Sequence, residues 1–231
     1  MTEDKTAIRN AATVIIVRDR ATTPRVLMGQ RGSNAVFMPN KFVFPGGAVD
    51  AGDADIQLAQ MINEPCFSRL VEMSDPALRH SICVAAIREL YEETGQILGV
   101  KGQWKGTVPE DWQAFSQVGF LPDASGMQYV FRAITPPGRP RRFDARFFFV
   151  DADLLQSDLD DFSAASEELS HLQWISLDQV RQYDLPFITE IVLAEIAARV
   201  NDNTPPASVP FFKNDDEDNT FLRLRGYNMP S

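Results

Sequence analysis

The spacing of apolar positions changes several times along the chain, and each change marks an element. Residues 11–18 (Ala-Ala-Thr-Val-Ile-Ile-Val-Arg) and 25–31 (Arg-Val-Leu-Met-Gly-Gln-Arg) predict two strands, joined into a hairpin by a polar turn through Thr22, Thr23 and Pro24. Residues 32–40 read as loop, and Phe42-Val43-Phe44 as a short strand that enters Pro45-Gly46-Gly47. The two glycines permit a tight turn and let backbone carbonyls come close to a metal or a phosphate. Over residues 54–74 the pattern predicts a helix at 55–63, a break at Pro65 and a second helical piece from Phe67 to Met73.

The longest periodic segment follows. Asp75 suits an N-cap, Pro76 the first helical position and Gly95 the left-handed residue just past the end. The predicted helix over 76–94 is about 28 Å long at a rise of about 1.5 Å per residue. On a helical wheel Cys83, Ala86, Ile87, Leu90 and Tyr91 share a core-facing arc, while Glu89, Glu92 and Glu93 crowd onto another; Leu78, Ile82 and Ala85 continue on the side facing the carboxylates. Farther on, the pattern predicts a short helix over 109–118 carrying Trp112 and Phe115, and strands over 128–135, 143–150 and 172–175. A capped helix from Ser176 through Val180 and an amphipathic helix over 186–200 that covers a sheet follow. The tail after Asn201, with Pro205-Pro206 and the acidic run Asp215-Asp216-Glu217-Asp218, reads as an extension holding a hairpin, since the run lacks the spacing of a calcium loop.

The three glutamates are hard to explain as stabilising. Glu89 and Glu93 are like charges one helical turn apart, a pairing that costs roughly 0.2 to 0.5 kcal/mol, and all three sit near a helix C-terminus, where the macrodipole disfavours anions. Arg88, four residues before Glu92, offsets one charge. At least two carboxylates remain to hold a hard cation such as Mg²⁺ or Mn²⁺, the alternative being a solvated acidic helix end.

At 231 residues the chain has room for one large core, so a single domain over 1–231 is expected, with a helical insertion at 54–74 and a C-terminal extension at 201–231. No apolar run is long enough to span a bilayer and the N-terminus lacks a signal-peptide pattern, so a cytoplasmic protein with no membrane partner is expected. Cys66 and Cys83 are too few for a disulfide frame, and His80 and His171 too isolated for a metal pair. A net charge of −10 argues against gripping nucleic acid through its phosphates. An anionic substrate must then be met locally. Arg139-Pro140-Arg141-Arg142-Phe143-Asp144-Ala145-Arg146 is the dense basic cluster available, either as a phosphate-binding edge or as a solvated loop with charged strand ends.

Val43-Phe44-Pro45-Gly46-Gly47-Ala48-Val49-Asp50-Ala51-Gly52-Asp53, followed by Arg88-Glu89-Leu90-Tyr91-Glu92-Glu93-Thr94-Gly95, resembles the Nudix box. That box is the signature of a superfamily of metal-dependent hydrolases of nucleoside diphosphates linked to another group. Three features depart from it. Asp53 stands where the box has Glu, Gln96 stands where an aliphatic residue is usual, and 34 residues separate Asp53 from Arg88, far more than is common. With Phe37-Met38-Pro39, Ile134-Thr135-Pro136 and the 141–148 run, the chain is similar over residues 10–200 to a subgroup with an inserted box that includes the acyl-coenzyme A diphosphatases.

The resemblance implies an α/β fold, an α/β/α sandwich around a mixed β-sheet with helical insertions. It also implies hydrolysis within a pyrophosphate, yielding 3′,5′-ADP and phosphopantetheine from coenzyme A. The Gly47 carbonyl, Glu89, Glu92 and Glu93 are the implied holders of Mg²⁺ or Mn²⁺, with Glu92 and Arg88 also counted among the catalytic groups. Phe44, Arg141, Arg142 and Arg146 are the candidates for substrate binding. A separate base is expected from a later loop, and Glu168, a few residues before the 172–175 strand, is the candidate, with Glu167 its competitor. The implied partner is a small-molecule nucleotide, and the resemblance is compatible with a homodimer. The ending Asn228-Met229-Pro230-Ser231 is unlike a peroxisomal Ser-Lys-Leu signal. ADP-ribose, NADH and dinucleoside polyphosphates stay open as substrates. A non-catalytic nucleotide-sensing module is the reading from another class, disfavoured by the presence of all three glutamates. The insertion is expected to pack on the Leu78, Ile82 and Ala85 side of the long helix and to bulge outward as a lid or wall of the site, so a short linker in place of 54–74 should preserve metal binding.

Overall fold

The computed structural model describes residues 7–214 and 219–226, so the acidic run at 215–218 lies outside the described residues. Strand β1 (Ile8–Arg18) is the axis of the fold, because it is covered on both faces. Ala12, Val14 and Ile16 enter one core and Ile15 and Val17 the other, the two-residue alternation of a strand between two layers. β2 (Arg25–Arg31) pairs with it antiparallel as the predicted hairpin. β3 (Phe42–Val43) lies on β2, and β4 (Gly46–Ala48) lies on β1 with Gly47 opposite Ala12. β5 (Gly99–Lys101) and β6 (Phe120–Pro122) form a separate two-stranded sheet.

β7 (Gln128–Ile134) and β8 (Arg142–Asp151) are antiparallel neighbours, and β8 runs parallel to β1 from Ile8↔Arg142 to Val17↔Asp151. β9 (Leu169–Ser176) pairs with β2. The tail forms the expected hairpin, β10 (Val209–Asn214) with β11 (Asn219–Leu224), and β10 docks parallel to β7. The sheet is therefore mixed, in the order β11-β10-β7-β8-β1-β2-β3, and the tail extends it instead of trailing from it.

The helices are α1 (Cys66–Arg69), α2 (Leu78–Thr94), α3 (Gln113–Gln117) and α4 (Phe187–Arg199). α2 packs on the Val14 face and α4 on the Ile15 face, which gives the expected α/β/α sandwich. α2 starts two residues later than predicted, because Asp75 Oδ1 accepts from Ala77 N–H (2.9 Å) in a turn that precedes the helix. It ends as predicted: Gly95 has φ 73° and its N–H reaches Tyr91 O (2.7 Å). Residues 81–88 are buried all round, not on one arc. The cause is the inserted segment.

The helix predicted over 55–63 does not form. After a 3-10 turn at Ala51–Asp55 the chain runs irregularly, so that Ile56, Leu58 and Ile62 all join the core beside Ile82 and Cys83. A helix would turn Ile56 and Leu58 about 200° apart. Backbone pairing with the 122–124 segment replaces the helical bonds: Ala59 N–H donates to Pro122 O (2.8 Å) and Ala124 N–H to Gln60 O (3.0 Å). The second helical piece is the short α1. With Cys66 and Leu70 also buried, the segment 54–74 is core and does not bulge outward, which corrects the expectation that it can be cut away. The helix expected from Ser176 is also absent. Ser176 pairs with Arg25 as the last residue of β9, its hydroxyl donates to Asp178 (2.5 Å), and only a 3-10 turn at Val180–Gln182 follows. Among the described residues no helix is long and apolar enough to cross a membrane.

Candidate active site

Arg88 is where the two halves of the motif meet. Its Nε and one terminal nitrogen bond both oxygens of buried Asp53 (2.9 and 3.1 Å), and the same nitrogen donates to Ala48 O (3.0 Å). The other terminal nitrogen reaches Glu89 Oε1 (2.9 Å) and Glu92 Oε2 (3.1 Å). The forked guanidinium suits this bidentate grip. Asp53, a departure from the usual box, thus does its work across the 34-residue gap: it seats Arg88 beside the glycine turn. Burial works against the charge on Arg88, but the Asp53 hydrogen bonds and the nearby Glu89 and Glu92 more than offset it and raise its pKa.

The glycine turn needs its glycines because other atoms occupy the space. A side-chain carbon on Gly46 would lie 2.5 Å from Ala12 O, and one on Gly47 would lie 2.4 Å from Glu89 Cδ. Glu93 Oε2 accepts from Gly46 N–H (2.7 Å), while its Oε1 is buried with no partner. Burial, opposed by that N–H and reinforced by Glu89 and Glu168, pushes Glu93 up to about 8. Burial likewise pushes Glu89 up to about 7 against the pull of Arg88, with Glu92 and Glu168 adding to the rise. Glu92 is raised by burial, again opposed by Arg88.

Among the described residues no three acidic, histidine or cysteine side chains converge into a closed metal cage. Glu89 and Glu92 are instead drawn toward Arg88, and Glu93 toward Gly46. The donor set still fits a hard divalent ion: every group is an oxygen, one carboxylate oxygen is buried and unsatisfied, and Glu89 lies over the bare Cα of Gly47.

These groups open onto a cleft of about 1020 Å³. Gly46, Gly47, Arg88, Glu89 and Glu92 line it, together with Phe44, Arg139, Arg141 and Phe143. Phe37 meets Phe143 edge to face, with centroids 5.3 Å apart. Glu168 is exposed in the cleft wall, on the loop before β9, whereas Glu167 does not line it. No residue of the 54–74 segment lines it either, which corrects the expected lid.

Arg142 and Arg146 are corrections too. On β8 they alternate with Phe143, Ala145 and Phe147, so they leave on the face away from the cleft. Arg142 donates to Thr135 O (3.1 Å) and Asn214 O (3.0 Å). Arg146, 1 % exposed, donates to Asn10 Oδ1 (2.7 Å) and Ser74 Oγ (2.8 Å) and pairs with Asp144 (3.1 Å), which Arg132 also grips. Sequence reasoning missed Arg31, which lines the cleft with its Nε buried and unpartnered. As the last residue of β2 it had a signal: an arginine ending an apolar strand just before the loop that leads to the glycine turn.

The chain is 32% identical to nudix hydrolase 7 of Caenorhabditis elegans, across 72% of this chain and 51% of that protein. It is 24% identical to the acyl-coenzyme A diphosphatase NUDT19 of Gallus gallus, across 65% of this chain and 53% of that protein. The chain spans about half the length of these curated relatives. The solved structure of a Nudix hydrolase from Alicyclobacillus acidocaldarius superposes with a TM-score of 0.64 at 26% identity, covering 85% of this chain and 96% of that one. No protein-family model matches the chain. With the split box reassembled by Arg88 and Asp53 and its glutamates set over the glycine turn, these likenesses identify the chain as a member of the Nudix hydrolase superfamily.

Proposed function

We propose that this cleft hydrolyses a phosphoanhydride bond in a nucleoside diphosphate derivative, with coenzyme A or an acyl-coenzyme A as the substrate and 3′,5′-ADP and (acyl-)phosphopantetheine as the products. The observation that carries the hydrolase reading is Glu93 Oε1, a carboxylate oxygen buried without a partner beside Glu89 and the Gly46-Gly47 turn. A buried acid left unsatisfied costs stability, which points to a ligand that completes it. Glu89, Glu92, Glu93 and the Gly47 carbonyl would hold Mg²⁺ or Mn²⁺. The bound ion would neutralise the pyrophosphate and lower the pKa of an attacking water toward neutrality.

The remaining roles belong to the chain itself. Arg88 holds Glu89 and Glu92 in place while Asp53 holds Arg88. Glu168, exposed in the cleft wall, takes the proton from the attacking water. Arg31, Arg139 and Arg141 supply positive charge along the cleft for phosphate oxygens, and Phe44, Phe37 and Phe143 give it an apolar wall. A cleft of about 1020 Å³ lined by both arginines and aromatic rings suits a long ligand with charged and apolar parts. The likeness to a protein named an acyl-coenzyme A diphosphatase supports the same choice. The test is product identification after incubation with coenzyme A, dephospho-coenzyme A, ADP-ribose, NADH and a dinucleoside polyphosphate. Fastest cleavage of coenzyme A supports the substrate, and faster cleavage of another compound replaces it.

A further inference from the structure

Gln96, the polar residue standing where the box has an aliphatic one, is fully buried and has every polar atom of its side chain engaged. Its amide nitrogen donates to Asp158 O (3.0 Å) and Asp161 O (3.2 Å), and its oxygen accepts from Ser157 Oγ (2.8 Å). Ser157 Oγ in turn accepts from Ile97 N–H (3.1 Å). Ser157, Asp158 and Asp161 lie on the loop that leads from Gln156 to β9 and carries Glu168. The same loop is fastened directly to the end of α2, where Ser166 N–H donates to Glu92 O (2.7 Å) and Ala164 packs so close that a carbon on Gly95 would sit 3.1 Å from it. An aliphatic side chain at 96 would bury the same volume and leave Asp158 O and Asp161 O without this donor, so volume alone does not account for a glutamine.

We infer that Gln96 is a positioning residue for Glu168: it fixes the loop at 157–161 to the C-terminal end of α2, so that the carboxylate two residues beyond Ser166 is held in register with Glu89 and Glu93. This rests on the reading of Glu168 as the base. Glu168 and Glu89 line the same cleft, on the two sides of this junction.

The test is a cycle of Gln96→Met, which keeps length and removes the amide, with Glu168→Gln, read by steady-state kinetics and by amide hydrogen exchange. Gln96→Met should lower kcat roughly ten- to a hundredfold with KM nearly unchanged. In the Glu168→Gln background it should cost nothing further. Exchange should accelerate at 157–168 and stay unchanged in β1 and β8. Ser157→Ala, which removes one bond of the same cluster, should give a smaller loss of the same form and covers the case in which Gln96→Met fails to fold. If Glu168→Gln is inactive but Gln96→Met keeps full kcat and normal exchange, the positioning role is overturned and the base survives. Equal losses in both backgrounds overturn it as well, since they mark a general structural effect. Full activity of Glu168→Gln overturns the base itself, and the positioning role with it.

Discussion

Glu89 lies over Gly47 so closely that its carboxylate occupies the space a side chain at position 47 would need: an added Cβ would stand 2.4 Å from Glu89 Cδ and Oε1. Residues 42 apart in sequence thus form one surface. The clash is with the tip of a flexible side chain, so Gly47→Ala should displace Glu89 without unfolding the protein. The expected result is a turnover loss of at least about tenfold and a stability change within about 1 kcal/mol, checked by kinetics and a denaturant melt.

The arginines of the 139–146 run divide by function. Arg141 is exposed in the cleft, so Arg141→Ala should raise KM for the nucleotide and leave stability unchanged within about 0.5 kcal/mol. Arg146 is enclosed among Asp144, Asn10 and Ser74, so Arg146→Ala leaves Asn10 Oδ1 and Ser74 Oγ without their donor while Asp144 keeps Arg132, and should cost about 1–3 kcal/mol in a urea melt. An effect on KM from Arg146→Ala with an unchanged melt would return that residue to the substrate.

The inserted segment buries both thiols. Burial pushes Cys83 up to about 12 from 9.0, with Cys66 adding to the rise, and burial raises Cys66 as well. A thiol whose folded pKa is raised adds no pH dependence while it is neutral in both states, and destabilises the fold only as pH climbs from 9 toward 12. At pH 8 both cysteines should therefore resist a thiol reagent until the protein unfolds. Leu70→Ala should cost about 2–5 kcal/mol and make them react faster, and a Gly/Ser linker in place of 54–74 should give no folded protein. A folded deletion variant that retains activity would show that the segment is not part of the core.

How much was legible in the sequence follows from which forces are local. The glycine cap of α2, the β1–β2 hairpin and the glutamate cluster were readable because φ preference, turn chemistry and helical spacing act within a few residues. The two-residue period of β8 was also on view: Arg142, Asp144 and Arg146 fall on one face and Phe143, Ala145 and Phe147 on the other. Treating 139–146 as one basic cluster leaves that alternation out and puts Arg142 and Arg146 in the cleft with Arg141. The expectation failed because the sheet is covered on both sides and the charged face satisfies itself through Asp144, Arg132 and Asn10. The 54–74 segment packs on the α2 side expected for it, where Ile56, Leu58 and Ile62 join Ile82 and Ala85, but its helix and its place at the site were misread because its backbone pairs with the distant 122–124 segment, which no local pattern records. Gln96 stood out as a departure from the motif, yet its partners at 157–161 were visible only in the fold.

The central claim is that the unsatisfied carboxylate at the end of α2 is part of a divalent-metal site for pyrophosphate hydrolysis. Coenzyme A turnover with product identification, run with Mg²⁺ or Mn²⁺, with EDTA, and with Glu93→Gln, tests it most directly. The expected outcome is 3′,5′-ADP and phosphopantetheine formed only with the metal, and a loss of at least about a hundredfold in Glu93→Gln, whose melt is unchanged or slightly higher because no partner of Oε1 is lost. Full turnover in EDTA, or in Glu93→Gln, would contradict the account.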